Sequence, residues 1–109
     1  MKGDYYVLVR YVFQAKSGKA GQVVDEFKQN EEIMRRIVGP DVKVRILTDL
    51  SGSFDTVVQE MEVESLAEWE RLRAAMFAVP EFQEAQATRE SPFISGSTEF
   101  YTIEALLYT

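Results

Sequence analysis

The order of strand-like and helix-like segments constrains the fold of this chain more than any other sequence feature. Residues 5–14 are rich in β-branched and aromatic side chains, which predicts a strand. From Ala20 onwards, apolar residues recur with the period of an amphipathic helix, which the pair Gly39-Pro40 ends. Alternating apolar positions then predict two more strands, over residues 42–49 and 54–63.

A second helix begins at a capping box. Ser65 has the N-cap position and Glu68 the third helical position, so each side chain can bond the backbone amide of the other residue. Pro80 interrupts the helix because proline has no amide hydrogen, and residues 81–89 are predicted to continue as a further helical segment. The helix is expected to bury one stripe of side chains: Leu66, Trp69, Leu72, Ala75 and Met76.

A loop over residues 91–97 and a fourth strand over residues 98–107 complete the chain. The resulting order, β-α-β-β-α-β, is that of a ferredoxin-like α+β fold. Right-handed crossovers place the third strand between the first and the second, and the first strand between the third and the fourth. We therefore expect a single domain over residues 1–109, with an antiparallel four-stranded sheet and two main helices on one face.

The chain contains no cysteine and no histidine. Without cysteine it can form no disulfide, zinc knuckle or iron–sulfur cluster, and it has no thiol nucleophile. Without histidine it lacks the commonest metal ligand and the usual general base near neutral pH, and Ser-His catalysis is excluded. Its carboxylates form no dense pattern such as DxD or ExxH. We therefore expect no bound metal and no cofactor.

The charge balance excludes two further classes of partner. The net charge of −6 argues against non-specific binding to nucleic acid or to an anionic membrane surface. No apolar run is long enough to span a membrane. Asp4 near the start and Arg10 within the first apolar stretch do not fit a signal peptide. The expected location is the cytoplasm.

Side-chain alternation divides the predicted sheet into two faces. A tight turn at Ser51-Gly52 places Lys43 opposite Glu60 and Arg45 opposite Val58. The more apolar face should meet the helices, and it carries Tyr5, Val7, Val9, Tyr11, Phe13, Val42, Val44, Ile46, Val57 and Met61. The other face, which we term the open face, should carry Tyr6, Leu8, Arg10, Val12, Lys43, Arg45, Leu47, Thr56, Val58, Glu60, Phe100, Thr102 and Glu104.

The open face has too many large apolar side chains to remain in contact with water. A second copy of the chain is the simplest cover, because closed two-fold symmetry requires only a self-complementary patch. We therefore expect a homodimer in which the two sheets pack face to face. Apolar walls with a few ionisable groups are also typical of small-molecule pockets. The space between the sheets is thus expected to hold a small apolar or anionic ligand.

From Tyr5 to Glu104 the chain resembles the dimeric α+β barrel superfamily, and within it the NIPSNAP-like and antibiotic-biosynthesis-monooxygenase-like small proteins. The resemblance rests on the element order and on the segment SLAEWERLRAAMFAVPEF (65–82), where an acidic capped helix with a central Trp69 precedes a Pro-aromatic break. It implies two ferredoxin-like protomers packed sheet to sheet around a cavity. The haem-degrading, EthD-like and chlorite-dismutase-like branches rely on histidine, so haem chemistry is not expected here.

The open-face residues proposed to bind a ligand are Tyr6, Arg10, Arg45, Glu60, Thr102 and Glu104. Buried charges persist only when they are paired or bound to a ligand. In one interpretation, Arg10 or Arg45 forms a structural pair with Glu60 or Glu104. In the other, an arginine holds an anionic or carbonyl-bearing ligand, and a carboxylate with a raised pKa moves a proton. No catalytic residue is assigned.

The loop predicted over residues 91–97 is expected to gate or rim the cavity. Phe93 and Ile94 are apolar residues in a segment that also contains Pro92 and Gly96, and loops carry binding residues more often than the elements they connect. The alternative is that Phe93 and Ile94 dock on the partner subunit.

Three functions remain open at the level of sequence. The first is a ligand-binding homodimer of the NIPSNAP-like type. The second is a cofactor-independent monooxygenase or isomerase for an aromatic or polyketide-like substrate, since the resemblance implies that Tyr6, Tyr101 and Trp69 could orient a phenol. The third is a structural dimer with a filled interior. No residue set specifies a reaction, so whether the protein is an enzyme stays undecided.

Overall fold

A computed structural model describes residues 6–38, 42–88 and 91–107. The predicted element order is confirmed, with the segment after Pro80 forming a short helix of its own. Gly39-Pro40, the expected end of the first helix, lies outside the described residues. The elements are β1 (Tyr6–Ala15), α1 (Ala20–Val38), β2 (Val44–Thr48), β3 (Thr56–Val63), α2 (Leu66–Phe77), α3 (Pro80–Thr88) and β4 (Phe93–Ile103).

The four strands form one antiparallel sheet in the order β2-β3-β1-β4, as the crossover argument predicts. At the start of α2 the Ser65 hydroxyl accepts the amide hydrogen of Glu68 at 3.1 Å, which is the N-cap bond of the predicted capping box. Pro80 opens α3, where its missing amide hydrogen costs no helical bond.

The core lies between the helices and the predicted apolar face of the sheet. Val9 and Met61, from the two central strands, pack with Leu72 of α2. Val57 of β3 packs with Val23 and with other residues of α1. Val42, Val44 and Ile46 border these clusters. The prediction that this face meets the helices is therefore confirmed for β1, β2 and β3.

The predicted register of the β2–β3 hairpin is wrong by two residues. Arg45 lies opposite Glu60, where Val58 was expected. The tight turn is replaced by a longer loop, which closes where the amide of Thr56 donates to Asp49 Oδ1 at 3.0 Å. Asp55 in this loop has a φ of 60°, a left-handed conformation that a two-residue turn at Ser51-Gly52 did not require. A shift of two residues keeps every side chain on its predicted face.

The prediction for β4 is wrong in both its start and its faces. Residues 93–97 belong to the strand, because the Phe93 ring stacks on Phe13 with centroids 4.7 Å apart and the strand continues along β1. Phe100 and Thr102 pair with Val9 and Val7, so they lie on the helix-covered face, not on the open face. The residues that β4 contributes to the open face are instead Ser97, Glu99 and Tyr101.

The cross-strand pair of Phe13 and Gly96 allows a direct test of this register. A Cβ atom at Gly96 would lie 2.5 Å from the Phe13 ring, so Gly96→Ala should lower the free energy of unfolding by about 1–3 kcal/mol. Gly21→Ala in α1 is the matched control, since its Cβ would meet no atom within 4 Å. Urea denaturation of both variants measures the difference. Equal stability of the wild-type protein and the Gly96 variant would contradict the pairing.

Candidate functional site

The open face carries a row of alternating charges that crosses all four strands. The strand register places Arg45, Glu60, Arg10 and Glu99 side by side on β2, β3, β1 and β4. Glu60 is the buried member, with 9% of its side chain exposed. Its carboxylate accepts Arg10 Nε at 3.1 Å on one oxygen and Arg45 Nε at 2.6 Å on the other. We term these four residues the ion row.

Glu99 closes the row at its outer end. Its Oε1 accepts a hydrogen bond from Arg10 Nη1 at 2.9 Å and another from the Tyr101 hydroxyl at 3.0 Å. These bonds lower the pKa of Glu99, mainly through Arg10. In turn, the bond to Glu99 is the largest cause of the raised pKa of Arg10. The guanidinium therefore stays charged between two carboxylates.

The structure brings together three of the predicted ligand-binding residues, namely Arg10, Arg45 and Glu60. Glu104 was expected as a possible partner of Arg10, but it is exposed and lies beyond the last residue of β4. Glu99 takes that place, and sequence reasoning missed it. Tyr6 belongs to β1 opposite Ile103 by its backbone, and its side chain lies outside the described part of the structure.

A groove with a volume of about 670 Å³ lies beside the ion row, towards the β2–β3 loop. Its apolar residues include Val12, Leu47 and Val58. Among the described residues that line it, Arg10 is the one cation and Asp49 the one anion, and Asp49 Oδ1 accepts the amide of Thr56. The groove is also lined by residues with hydroxyl groups, namely Thr48, Ser51, Ser53, Thr56, Ser95 and Ser97. The groove can thus bind an apolar body together with several hydrogen-bonding groups.

The residues predicted to rim the cavity divide between the two faces. Phe93 is half-buried against Phe13 on the helix-covered side, where it belongs to the core. Ile94 is 68% exposed next to the strand irregularity at Gln14 and Ala15. Ser95, two residues after Phe93, lines the groove.

A second cavity of about 360 Å³ lies between the sheet and the helices of the same protomer. Trp69 Nε1 donates to the Tyr11 hydroxyl at 2.7 Å at its wall. The Arg73 guanidinium lies 5.8 Å from the centroid of the Trp69 ring, and the buried Gln59 adds a polar group to the lining. Sequence reasoning considered Trp69 but missed Tyr11, because the contact depends on how α2 crosses the sheet.

The buried hydroxyl of Tyr11 should make the stability of the protein depend on pH in the alkaline range. Burial raises the pKa of its hydroxyl, against the opposing effects of Trp69 and Arg73. The unfolded chain therefore releases this proton first, near pH 10, and the free energy of unfolding should fall as the pH rises further. Tyr11→Phe should reduce this fall, although Trp69 then loses its acceptor. Urea denaturation of the wild-type protein and of Tyr11→Phe from about pH 9 to 11 tests this. An identical pH dependence in wild type and Tyr11→Phe would contradict it.

Two features are absent from the part of the chain that the structure describes. Within residues 6–38, 42–88 and 91–107, no three acidic side chains come together as a metal site would require. In the same ranges, no helix is both long and apolar enough to cross a membrane.

No protein-family model and no curated protein sequence matches this chain. Solved structures do. A NIPSNAP-like domain protein from Burkholderia xenovorans is 17% identical, with a TM-score of 0.71, over 95% of this chain and 88% of that one. A NIPSNAP family protein of unknown function from Agrobacterium tumefaciens is 13% identical, with a TM-score of 0.75, over 94% and 91% of the two chains.

The fold is also similar to that of SnoaB from Streptomyces nogalater, a cofactor-independent oxygenase whose structure was solved as a variant. That chain is 14% identical, with a TM-score of 0.66, over 96% of this chain and 98% of SnoaB. Identities this low establish a common fold and nothing finer. The protein thus has the ferredoxin-like α+β fold of the NIPSNAP-like proteins and of SnoaB.

Proposed function

We propose that the protein is a homodimer that binds a small molecule between two open faces. The observation that carries this proposal is the groove beside the ion row, on a sheet face that none of the described helices covers. Its volume of about 670 Å³ falls within the range of small-molecule sites. In the protomer the groove is open to solvent, so it needs a cover to exclude water.

A second copy of the chain fits as this cover. Leu47 and Tyr101 are 39% and 50% exposed on the open face, and the half-buried Leu8 and Val12 lie between them. The ion row contains two arginines and two glutamates, so its charges balance and the partner need not supply a counterion. An interface on the order of 1,600 Å² in total is expected for a stable pair.

The experiment uses N-phenylnaphthylamine, a neutral apolar dye that fluoresces when it leaves water. The wild-type protein should bind it, and Ser97→Trp, which fills the groove from β4, should weaken binding by about tenfold or more. Gln29→Trp, exposed on α1 on the other side of the sheet, is the matched control and should bind as the wild type does. Equal affinity of both variants would contradict a ligand site in the groove. A wild-type protein that binds no dye would favour a filled interior.

A cofactor-independent monooxygenase or isomerase acting on an aromatic or polyketide-like substrate is the second candidate. The cavity on the helix side favours it, because the hydrogen-bonded pair of Trp69 and Tyr11 offers a polar group in an aromatic wall. The fold similarity to SnoaB supports the same idea. Oxygen consumption with an anthrone or quinol tests it. If Tyr11→Phe abolishes the turnover and Ser97→Trp leaves it intact, this candidate is favoured over the first.

A further inference from the structure

Resting on the proposed binding site, we infer that Glu99 is an internal counterion, which an anionic ligand replaces at Arg10. The groove then selects molecules that combine an apolar body with a carboxylate, sulfonate or similar anionic head. Glu99 occupies Arg10 Nη1 when no ligand is bound, and the ligand head takes this position when Glu99 turns outwards past the edge strand β4. The juxtaposition of Glu99, Arg10 and the groove carries this inference.

The two bonds of Arg10 differ in how easily they can be exchanged. Its Nε bonds Glu60, whose side chain is 9% exposed and whose carboxylate also binds Arg45. Its Nη1 bonds Glu99, whose side chain is 36% exposed on the outer strand β4. An exposed ion pair contributes little, because water competes for both charges. Departure of Glu99 would therefore leave Arg10 anchored in its present position.

The guanidinium also has donors left for a ligand. Among the described residues, no acceptor bonds Arg10 Nη2. A planar guanidinium binds a carboxylate through two parallel hydrogen bonds, so Nη1 and Nη2 together match an anionic head once Glu99 has left. Since one anion replaces another at Arg10, the charge balance around the buried Glu60 does not change. A neutral ligand would gain nothing from this exchange.

The surroundings of Arg10 fit the remainder of such a ligand. Val12 and Val58 lie next to Arg10 and Glu60 along their strands and supply apolar contact. The Tyr101 hydroxyl, which donates to Glu99 at 3.0 Å, can follow the carboxylate as it turns outwards. Tyr101 lies on the edge strand β4, so this movement towards the rim of the proposed interface displaces no core side chain of the protomer.

The experiment compares two dyes that share one apolar framework. Anilinonaphthalene sulfonate carries an anionic head, and N-phenylnaphthylamine lacks it. Glu99→Gln removes the competing carboxylate, so it should tighten sulfonate binding by about fivefold and leave the affinity for the neutral dye unchanged. Arg10→Met should remove the preference for the sulfonate, and Arg10→Lys, which keeps the charge without the fork, should restore part of it.

Glu62→Gln is the matched control, because it removes a carboxylate from the same face, opposite Leu8, without contact to Arg10. It should change sulfonate binding by less than about twofold. Equal tightening by Glu99→Gln and Glu62→Gln would overturn the inference in favour of a general charge effect. If Ser97→Trp blocks the binding of both dyes and Glu99→Gln does not alter it, the inference is overturned while the proposed function stands. Binding of neither dye to the wild-type protein would overturn both.

Discussion

Replacing both Arg10 and Arg45 by methionine should lower the free energy of unfolding by about 3–5 kcal/mol, the largest loss expected for any change on the open face. The double variant leaves the carboxylate of Glu60 without a cation, although only 9% of this side chain is exposed. Methionine keeps most of the apolar stem volume, so the loss reports the charge. Burial of an unpaired carboxylate is the physical cause.

Each single variant should cost much less, because the other arginine still pairs with Glu60. The loss in the double variant should therefore exceed the sum of the two single losses, which is the signature of a shared partner. Urea denaturation of the four proteins at one concentration measures this coupling. Arg36→Met combined with Arg71→Met is the control, since both arginines pair with exposed or half-buried glutamates. Additive losses, or a double variant within about 1 kcal/mol of wild type, would show that Glu60 reaches water.

Leu47→Glu should weaken the proposed homodimer by about a hundredfold or more. Leu47 is 39% exposed on the open face opposite Val58, and two-fold symmetry would place two new carboxylates in one apolar interface. Val58 itself is a poorer site for this test. It is only 6% exposed within the protomer, so a charge there would also disrupt folding.

Leu66→Glu is the matched control for Leu47→Glu. Leu66 was expected in the buried stripe of the helix, which is wrong, because it is 49% exposed at the first residue of α2. An acidic side chain suits this position at the helix N-terminus. Size-exclusion chromatography with light scattering over a concentration series measures the dimer fraction of both variants. The same dimer affinity for both variants would place the interface elsewhere on the molecule.

The parts of the fold that depend on local periodicity were predictable. The period of the apolar residues after Ala20 identified an amphipathic helix, and Val23 and Phe27 of α1 are buried in the core. The capping box at Ser65 identified the start of α2. The β2–β3 hairpin was assigned a turn that was too short. The side chains of the hairpin were nevertheless assigned to the correct faces, because a shift of two residues preserves side-chain alternation.

The faces of β4 were not predictable from its pattern. Each side of the strand predicted over residues 98–107 carries one aromatic and one acidic residue, Phe100 with Glu104 on one side and Tyr101 with Glu99 on the other. Alternation therefore did not distinguish the two sides, and Glu104, in place of Glu99, was named beside Glu60 as a possible partner of Arg10. The deciding contact is Phe93 against Phe13, in a segment whose Pro, Ser and Gly residues resemble a loop. A cross-strand pair of glycine with an aromatic residue was the available signal.

The candidate site was predictable only in part, because a register joins residues that are distant in sequence. Arg10 and Glu60 are fifty positions apart, and Arg10 and Glu99 are eighty-nine apart. Sequence could assign Arg10, Arg45 and Glu60 to one face, but it could not show that two arginines share one buried carboxylate. The cavity at Tyr11 and Trp69 depends on the packing angle of α2, which no local pattern specifies.

Sedimentation equilibrium of the wild-type protein tests the central claim most directly, because the proposed ligand site requires two open faces. At micromolar concentrations we expect a single species with twice the mass of the 12.5 kDa chain. Bound anilinonaphthalene sulfonate should shift the equilibrium further towards this species, since a ligand stabilises the state that binds it. A mass of 12.5 kDa at these concentrations, with or without the dye, would contradict the proposed dimer and its ligand site.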